Sequence, residues 1–267
     1  MPPISYRNEF RKTVQQAEDI LRKINDILSE MNSIFRRVKE SERFSKRGGL
    51  DEATFKALRD EALREACTCF LKYLDFLEEA KVALQDLKVV HAKAMLQLDE
   101  ARKGRSIGAE RSDYYTILRG RLKEIAETIE SLNKVIKGLN SELFLFLLES
   151  YVEKALELNG LDKASRVMEL AREFGDKWSD ERLRIESELS SLDSRIEELN
   201  EKLREIEVRF ALGEYDKSTF EEKRLAVERE LEKIVNERDA KERMLEERDA
   251  RFLRALEKLE VILGEKQ

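Results

Sequence analysis

The stretch that decides the fold is WSDERLRIESELSSLDSRIEELNEKLREIEVRF, residues 178–210. Trp178, Ile185, Leu189, Leu192, Ile196, Leu199, Leu203, Ile206 and Phe210 recur in alternating steps of three and four, and only Arg182 interrupts the ladder. A repeat near 3.5 residues keeps one seam turned toward a partner helix, so the segment reads as one arm of a coiled coil. At about 1.5 Å per residue the arm is roughly 50 Å long.

The partner follows in sequence. The last helix, expected from about Asp216 to Gly264, carries the seam Phe220, Arg224, Val227, Leu231, Ile234, Arg238, Lys241, Leu245, Arg248, Phe252, Ala255, Leu259 and Ile262. Folding the chain about Gly213 sets Phe210 against Phe220, Leu203 against Val227, Leu199 against Leu231 and Ile196 against Ile234. Trp178 falls against Phe252, and Arg182 faces Arg248. Like charges in one layer are costly unless acidic groups answer them. The basic layers are register setters, a site for another chain's acids, or stems that snorkel over the seam with their heads in water.

Upstream, the periodicity predicts helices from about Tyr6 to Arg43, Asp51 to Arg102 and Ser112 to Leu158, then a shorter one from Asp162 to about Phe174. The breaks fall at Gly48-Gly49, at Gly104 to Gly108, at Asn159-Gly160 and at Gly175, a candidate junction. The second helix is apolar on more than one side, which implies two or more neighbours. The run Leu143 to Leu148 is apolar all round, so it is buried by several helices or meets another chain. Short connections between long helices make antiparallel neighbours. The expected architecture is all-α: an antiparallel helical bundle over residues 1–175 and a long antiparallel coiled-coil hairpin over residues 176–267.

Composition agrees. Of 267 residues 40% are charged and 41% hydrophobic, with two prolines and ten glycines. That is the make-up of long helices with faces to bury, not of a disordered chain. The net charge is −6, and residues 176–267 hold 20 basic against 27 acidic residues. Neither part carries the basic stripe of a nucleic-acid binder. The densest basic group, Arg36, Arg37, Lys39, Arg43, Lys46 and Arg47, closes the first helix. It is either solvated charge that complements the helix dipole or a contact for anionic lipid or phosphate. Cys67 and Cys69 point to nearly opposite sides of a helix, so they share neither a metal nor a disulfide and suit a reducing cytosol. The N-terminus lacks a signal peptide's apolar segment, and no run is long enough to span a bilayer.

One turn occurs twice. Gly48-Gly49-Leu50-Asp51-Glu52-Ala53-Thr54-Phe55 precedes Arg59, and Gly213-Glu214-Tyr215-Asp216-Lys217-Ser218-Thr219-Phe220 precedes Arg224; Phe44 and Phe210 come before them at nearly equal distance. Glycine takes the left-handed conformation that ends a helix, and aspartate caps the next one. Leu50 or Tyr215 can staple onto Phe55 or Phe220.

The segment Glu207-Val-Arg-Phe-Ala-Leu-Gly-Glu-Tyr-Asp-Lys-Ser-Thr-Phe220, with the charged helix after it, resembles the coiled-coil region of the archaeal cell-division protein CdvA. Members carry aromatic-x-x-Gly-Glu turns between long charged helices. The similarity spans roughly residues 190–260 and, more loosely, 44–60. It implies a cytoplasmic scaffold that self-associates at the inner membrane face and recruits ESCRT-III-type partners.

No catalytic, cofactor or metal site is expected. His91 is the lone histidine, at a seam position with no nucleophile or orienting partner beside it. Zinc-binding, EF-hand and phosphate-loop motifs are absent.

Overall fold

The computed structural model describes residues 4–103, 109–136 and 138–264, with side chains from 10–100, 116–136 and 138–264. Among these the chain is all-α: α1 (Ile4–Lys46), α2 (Glu52–Lys103), α3 (Ala109–Ile136), α4 (Ser141–Lys154), a short 3-10 turn (Leu161–Lys163), α5 (Ala164–Ala211) and α6 (Lys217–Gly264). The predicted loop from Gly104 to Gly108 lies outside the described residues. Packing divides the chain into two compact units, Met1–Arg166 and Val167–Gln267.

In the first unit α1 runs antiparallel to α2. Arg37 is ion-paired with Glu65, and Lys23 lies over the Phe76 ring at 5.2 Å. The α1 seam buries Val14, Ala17, Ile24, Met31 and Val38; α2 meets it with small residues, Ala62, Ala66, Cys69, Ala80 and Ala83. The second apolar side of α2 is also buried, as its pattern implied. Leu63, Cys67, Phe70, Leu74 and Leu77 are each at most 3% exposed. α4 covers this side: Phe70 meets Phe144 and Tyr151 edge-on at 6.4 and 6.3 Å. Leu143 to Leu148 are all buried within the chain, with Phe146 against Phe35 at 5.4 Å. α3 continues the same path, its Leu118 and Leu122 packing on Ala94 and Leu98. α3 and α4 thus form one interrupted rod antiparallel to α2.

That interruption corrects the single helix expected from Ser112 to Leu158. Ile136, Leu139 and Leu143 keep helical spacing, yet the helix stops at Ile136 and restarts at Ser141. The Gly138 amide donates to Val135 O at 3.1 Å, a tightened last turn. Asn140 then caps α4, accepting from the Leu143 amide at 2.8 Å. After α4, Tyr151 donates to Gly160 O at 2.9 Å. A Cβ at Gly160 would meet the Leu71 methyls at 2.8 Å, so a larger residue there requires that side chain to shift. Lys163 and Arg166 tie the following segment down through Leu71 O at 3.0 Å and Leu74 O at 3.1 Å.

A second correction concerns Gly175. It breaks nothing: α5 runs through it, and a Cβ there would sit 3.7 Å from the Phe252 ring, an ordinary contact. The division between units falls earlier, between Arg166 and Val167.

The second unit is the α5–α6 hairpin in the register that the seam dictates. Cross-helix partners are near mirror images about Tyr215. Arg195 meets Glu230 at 2.9 Å, Asp193 meets Arg238 at 3.1 Å and Glu188 meets Lys241 at 2.6 Å. Phe210 stacks on Phe220 at 4.2 Å.

Candidate assembly surfaces

The two turns share their backbone chemistry. Gly48 and Gly213 both have φ +76°, the left-handed region where a Cβ is penalised. The Gly48 amide donates to Ser45 O at 2.9 Å, and the Gly213 amide to Phe210 O at 3.0 Å. The next residue reaches one position further back in each case, Gly49 to Phe44 O and Glu214 to Arg209 O, closing a Schellman motif. Asp51 accepts from the Thr54 amide at 2.9 Å, and Asp216 from the Thr219 amide at 2.7 Å. These bonds to the ionised form hold both carboxyls below their ordinary value, with the Thr54 hydroxyl the largest contributor at Asp51.

The preceding aromatics are not equivalent. Phe210 lies three residues before its glycine and stacks across the turn on Phe220, a pair worth about 0.5–1.5 kcal/mol beyond area burial. Phe44 lies four residues before its own and covers Gly49, where any Cβ would collide with the ring. It remains 59% exposed. Tyr215 sits with Lys223 over its ring at 5.4 Å and Arg209 at 3.5 Å from its hydroxyl. Phe220 has its stacking partner across the turn, in Phe210.

The likeness extends well beyond the turns. Shifting the numbering by the distance from Gly48 to Gly213 brings the seams into register. Ile24, Met31, Ile34 and Val38 of α1 coincide with Leu189, Ile196, Leu199 and Leu203 of α5. Ala66, Cys69, Ala80 and Leu87 of α2 coincide with Leu231, Ile234, Leu245 and Phe252 of α6. The two hairpins thus share both a turn and the register of their seams. Sequence reading found the turn and missed the arms, because the α2 seam is built of smaller residues.

The charged layers of the second seam are answered within the chain: the register sets Arg182 in the layer of Arg248, and flanking acids meet both. Arg182 pairs with Asp249 at 3.4 Å, and Arg248 with Glu181 at 3.3 Å. Lys241 and Arg238 take Glu188 and Asp193, so the acids named as another chain's contribution come from α5. Trp178 is held in the same stretch of α6: its indole donates to Asp249 at 2.7 Å, under the Arg248 guanidinium. Phe252 has Phe174 as its ring partner, at 5.1 Å.

Of the six basic residues closing α1, two are engaged. Arg37 pairs with Glu65, and Lys39 with Glu142 at 3.7 Å. Arg36, Arg43, Lys46 and Arg47 are exposed, the last three within three residues of the exposed Phe44. Residues 36–59 hold eight basic against four acidic residues; the matching stretch around the second turn, 201–224, holds six against seven. The same turn is thus presented with opposite charge balance.

Burial acts on the thiols and on tyrosine. Burial pushes the Cys67 thiol up to about 12 and the Cys69 thiol up to about 11. Burial also pushes the Tyr73 hydroxyl up to about 12. Lys154, only 8% exposed at its side chain, is held charged by Asp60 at 2.5 Å and Glu157 at 3.2 Å. His91 is half-buried. Among the described residues no cluster of three His, Cys, Asp or Glu residues could hold a metal, and no helix is long and apolar enough to cross a membrane. Comparison with known proteins finds no matching family model, curated relative or solved structure.

Proposed function

We propose that the protein is a non-enzymatic coiled-coil scaffold that assembles with copies of itself, CdvA-like in its use of a charged hairpin at a division site. One observation carries this reading: the second unit is a bare two-helix seam. Only part of its ladder is closed, at residues such as Ile185, Leu199, Leu245 and Leu259, while Leu189, Ile196, Leu203, Leu231 and Ile234 remain half-exposed. Two helices of this length leave apolar rows that a further helix can cover. A cytoplasmic setting at the inner membrane face, with ESCRT-III-type partners, belongs to the same proposal. Sedimentation velocity over a concentration series tests it. Mass rising with concentration is expected; a monomer throughout would overturn it.

The second reading is a membrane-remodelling filament protein of ESCRT-III-like or phage-shock-like character. The exposed group of Arg36, Arg43, Lys46, Arg47 and Phe44 favours it, since basic residues around an aromatic suit an anionic lipid interface. Pelleting with anionic vesicles at low salt supports it if Arg43→Glu with Arg47→Glu abolishes binding. No pelleting, with self-association intact, removes it.

A further inference from the structure

The repeated hairpin exposes a difference between its two copies. In the first, one side of α2 bordering the seam is apolar, through Leu63, Phe70, Leu74 and Leu77, and α4 lies on it. On the α1 wall of the same groove, Phe35 takes Phe146 and Lys39 takes Glu142. The corresponding α6 positions are Glu228, Val235, Asp239 and Glu242, and the α5 wall supplies Asn200 and Arg204. Among the described residues no aromatic contact of the Phe70–Phe144 kind is made at these α6 positions.

Its surface is acidic but not purely polar. Along α6 the stripe adds Glu232 and Glu246, flanked at its two ends by Leu225 and Leu253 at 48% and 58% exposure. From Glu221 to Glu260 these rows of α6 contain no Lys or Arg. α5 adds Leu183, 62% exposed, and the acids Glu186, Asp193, Glu197 and Glu207. Several of these carboxylates answer seam cations: Glu228 meets Arg224, Glu186 meets Arg182, and Asp193, Asp239 and Glu242 meet Arg238. Among the described residues no ion pair within 4 Å engages Glu197, Glu232 or Glu246.

We propose that this groove seats a basic amphipathic helix of a partner protein, in the place that α4 takes in the first hairpin. Leu225 and Leu253 at its two ends and Val235 between them offer the apolar contact, and the carboxylates along it select Lys or Arg. Two copies of the hairpin would not pair through this groove, because acid would face acid. The inference rests on the reading of the hairpin as a contact arm and specifies what that arm holds.

The distance from Leu225 to Leu253 is about 42 Å of helix, the span of a 28-residue peptide. The probe is a fluorescein-labelled 28-mer with Leu at heptad core positions and Lys on the flanks, together with its Glu-flanked twin. Anisotropy is measured with the full chain. Expected is binding of the Lys peptide only, weakened by salt and lost by about tenfold or more in Glu232→Lys with Glu246→Lys. Glu247→Lys with Glu257→Lys, the same charge change away from the groove, leaves affinity within about twofold, and Leu225→Ser with Leu253→Ser lowers it. Equal loss in both charge pairs, no loss in either, or binding of both peptides overturns the inference. Sedimentation run alongside keeps the outcomes separate: intact self-association with no peptide binding removes the groove assignment alone.

Discussion

Gly213 is the point at which the hairpin's geometry is most exposed to a single substitution. Its φ of +76° lies in the left-handed region, and nothing stands within 4 Å of a Cβ placed there. The cost of a side chain is therefore conformational and not steric. A left-handed L-residue costs about 1–2 kcal/mol, so Gly213→Ala should lose about that much. Gly213→Val should lose more, because a β-branched residue is further restricted, and Gly213→Asn least, since asparagine tolerates this region. For a unit of this size each kcal/mol lowers the melting temperature by about 4–8 °C. Circular dichroism melts of the full chain, read at the transition of the hairpin unit, give the ranking. Gly48, with the same φ and equally open surroundings, should repeat it in the first unit. An asparagine as costly as valine, or an alanine without cost at either site, would refute the reasoning.

Gly49 offers the opposite case, since its Cβ would strike the Phe44 ring. Gly49→Ala should be destabilising alone and nearly neutral with Phe44→Ala, a coupling that a double-mutant cycle of denaturation midpoints measures. Leu199 is fully buried in the second seam, so Leu199→Asp should destabilise that unit by about 3 kcal/mol or more while the first transition persists; loss of both together would contradict two units. Asp51, Asp60 and Asp216 have depressed folded-state values, Asp60 chiefly through Lys154. Their contribution is present above the ordinary aspartate value of 3.8 and disappears as the pH falls through the folded values. Urea midpoints should therefore drop below about pH 4, and Asp216→Asn should flatten part of that drop.

The hairpin register was legible because two signals agree. An apolar ladder fixes which faces meet, and a glycine–aspartate turn fixes where the chain reverses. Phe210 against Phe220 follows from those two alone. The break at Gly138 was hidden because Ile136, Leu139 and Leu143 keep the helical interval across it, while its markers, one glycine and the Asn140 cap, are short-range. The partners of Arg182 and Arg248 were hidden for a different reason. Long side chains reach past their own layer to acids one position away, Asp249 and Glu181. Periodicity places a side chain in a layer but not its charged end. The acidic groove required both hairpins to be set side by side, since only then does Val235 correspond to Phe70 and the carboxylates to α4's apolar seat.

The doubling back of residues past Val167 is tested most directly by a distance between two exposed outer positions, Ser194 of α5 and Asn236 of α6. Nitroxide labels on Ser194→Cys and Asn236→Cys suit pulsed electron resonance, because Cys67 and Cys69 are buried and do not compete for the label. Helix axes about 10 Å apart, with labels on their outer sides, give a separation of about 20–30 Å. A mean above about 50 Å, approaching the roughly 63 Å of one continuous helix between those residues, would contradict the hairpin.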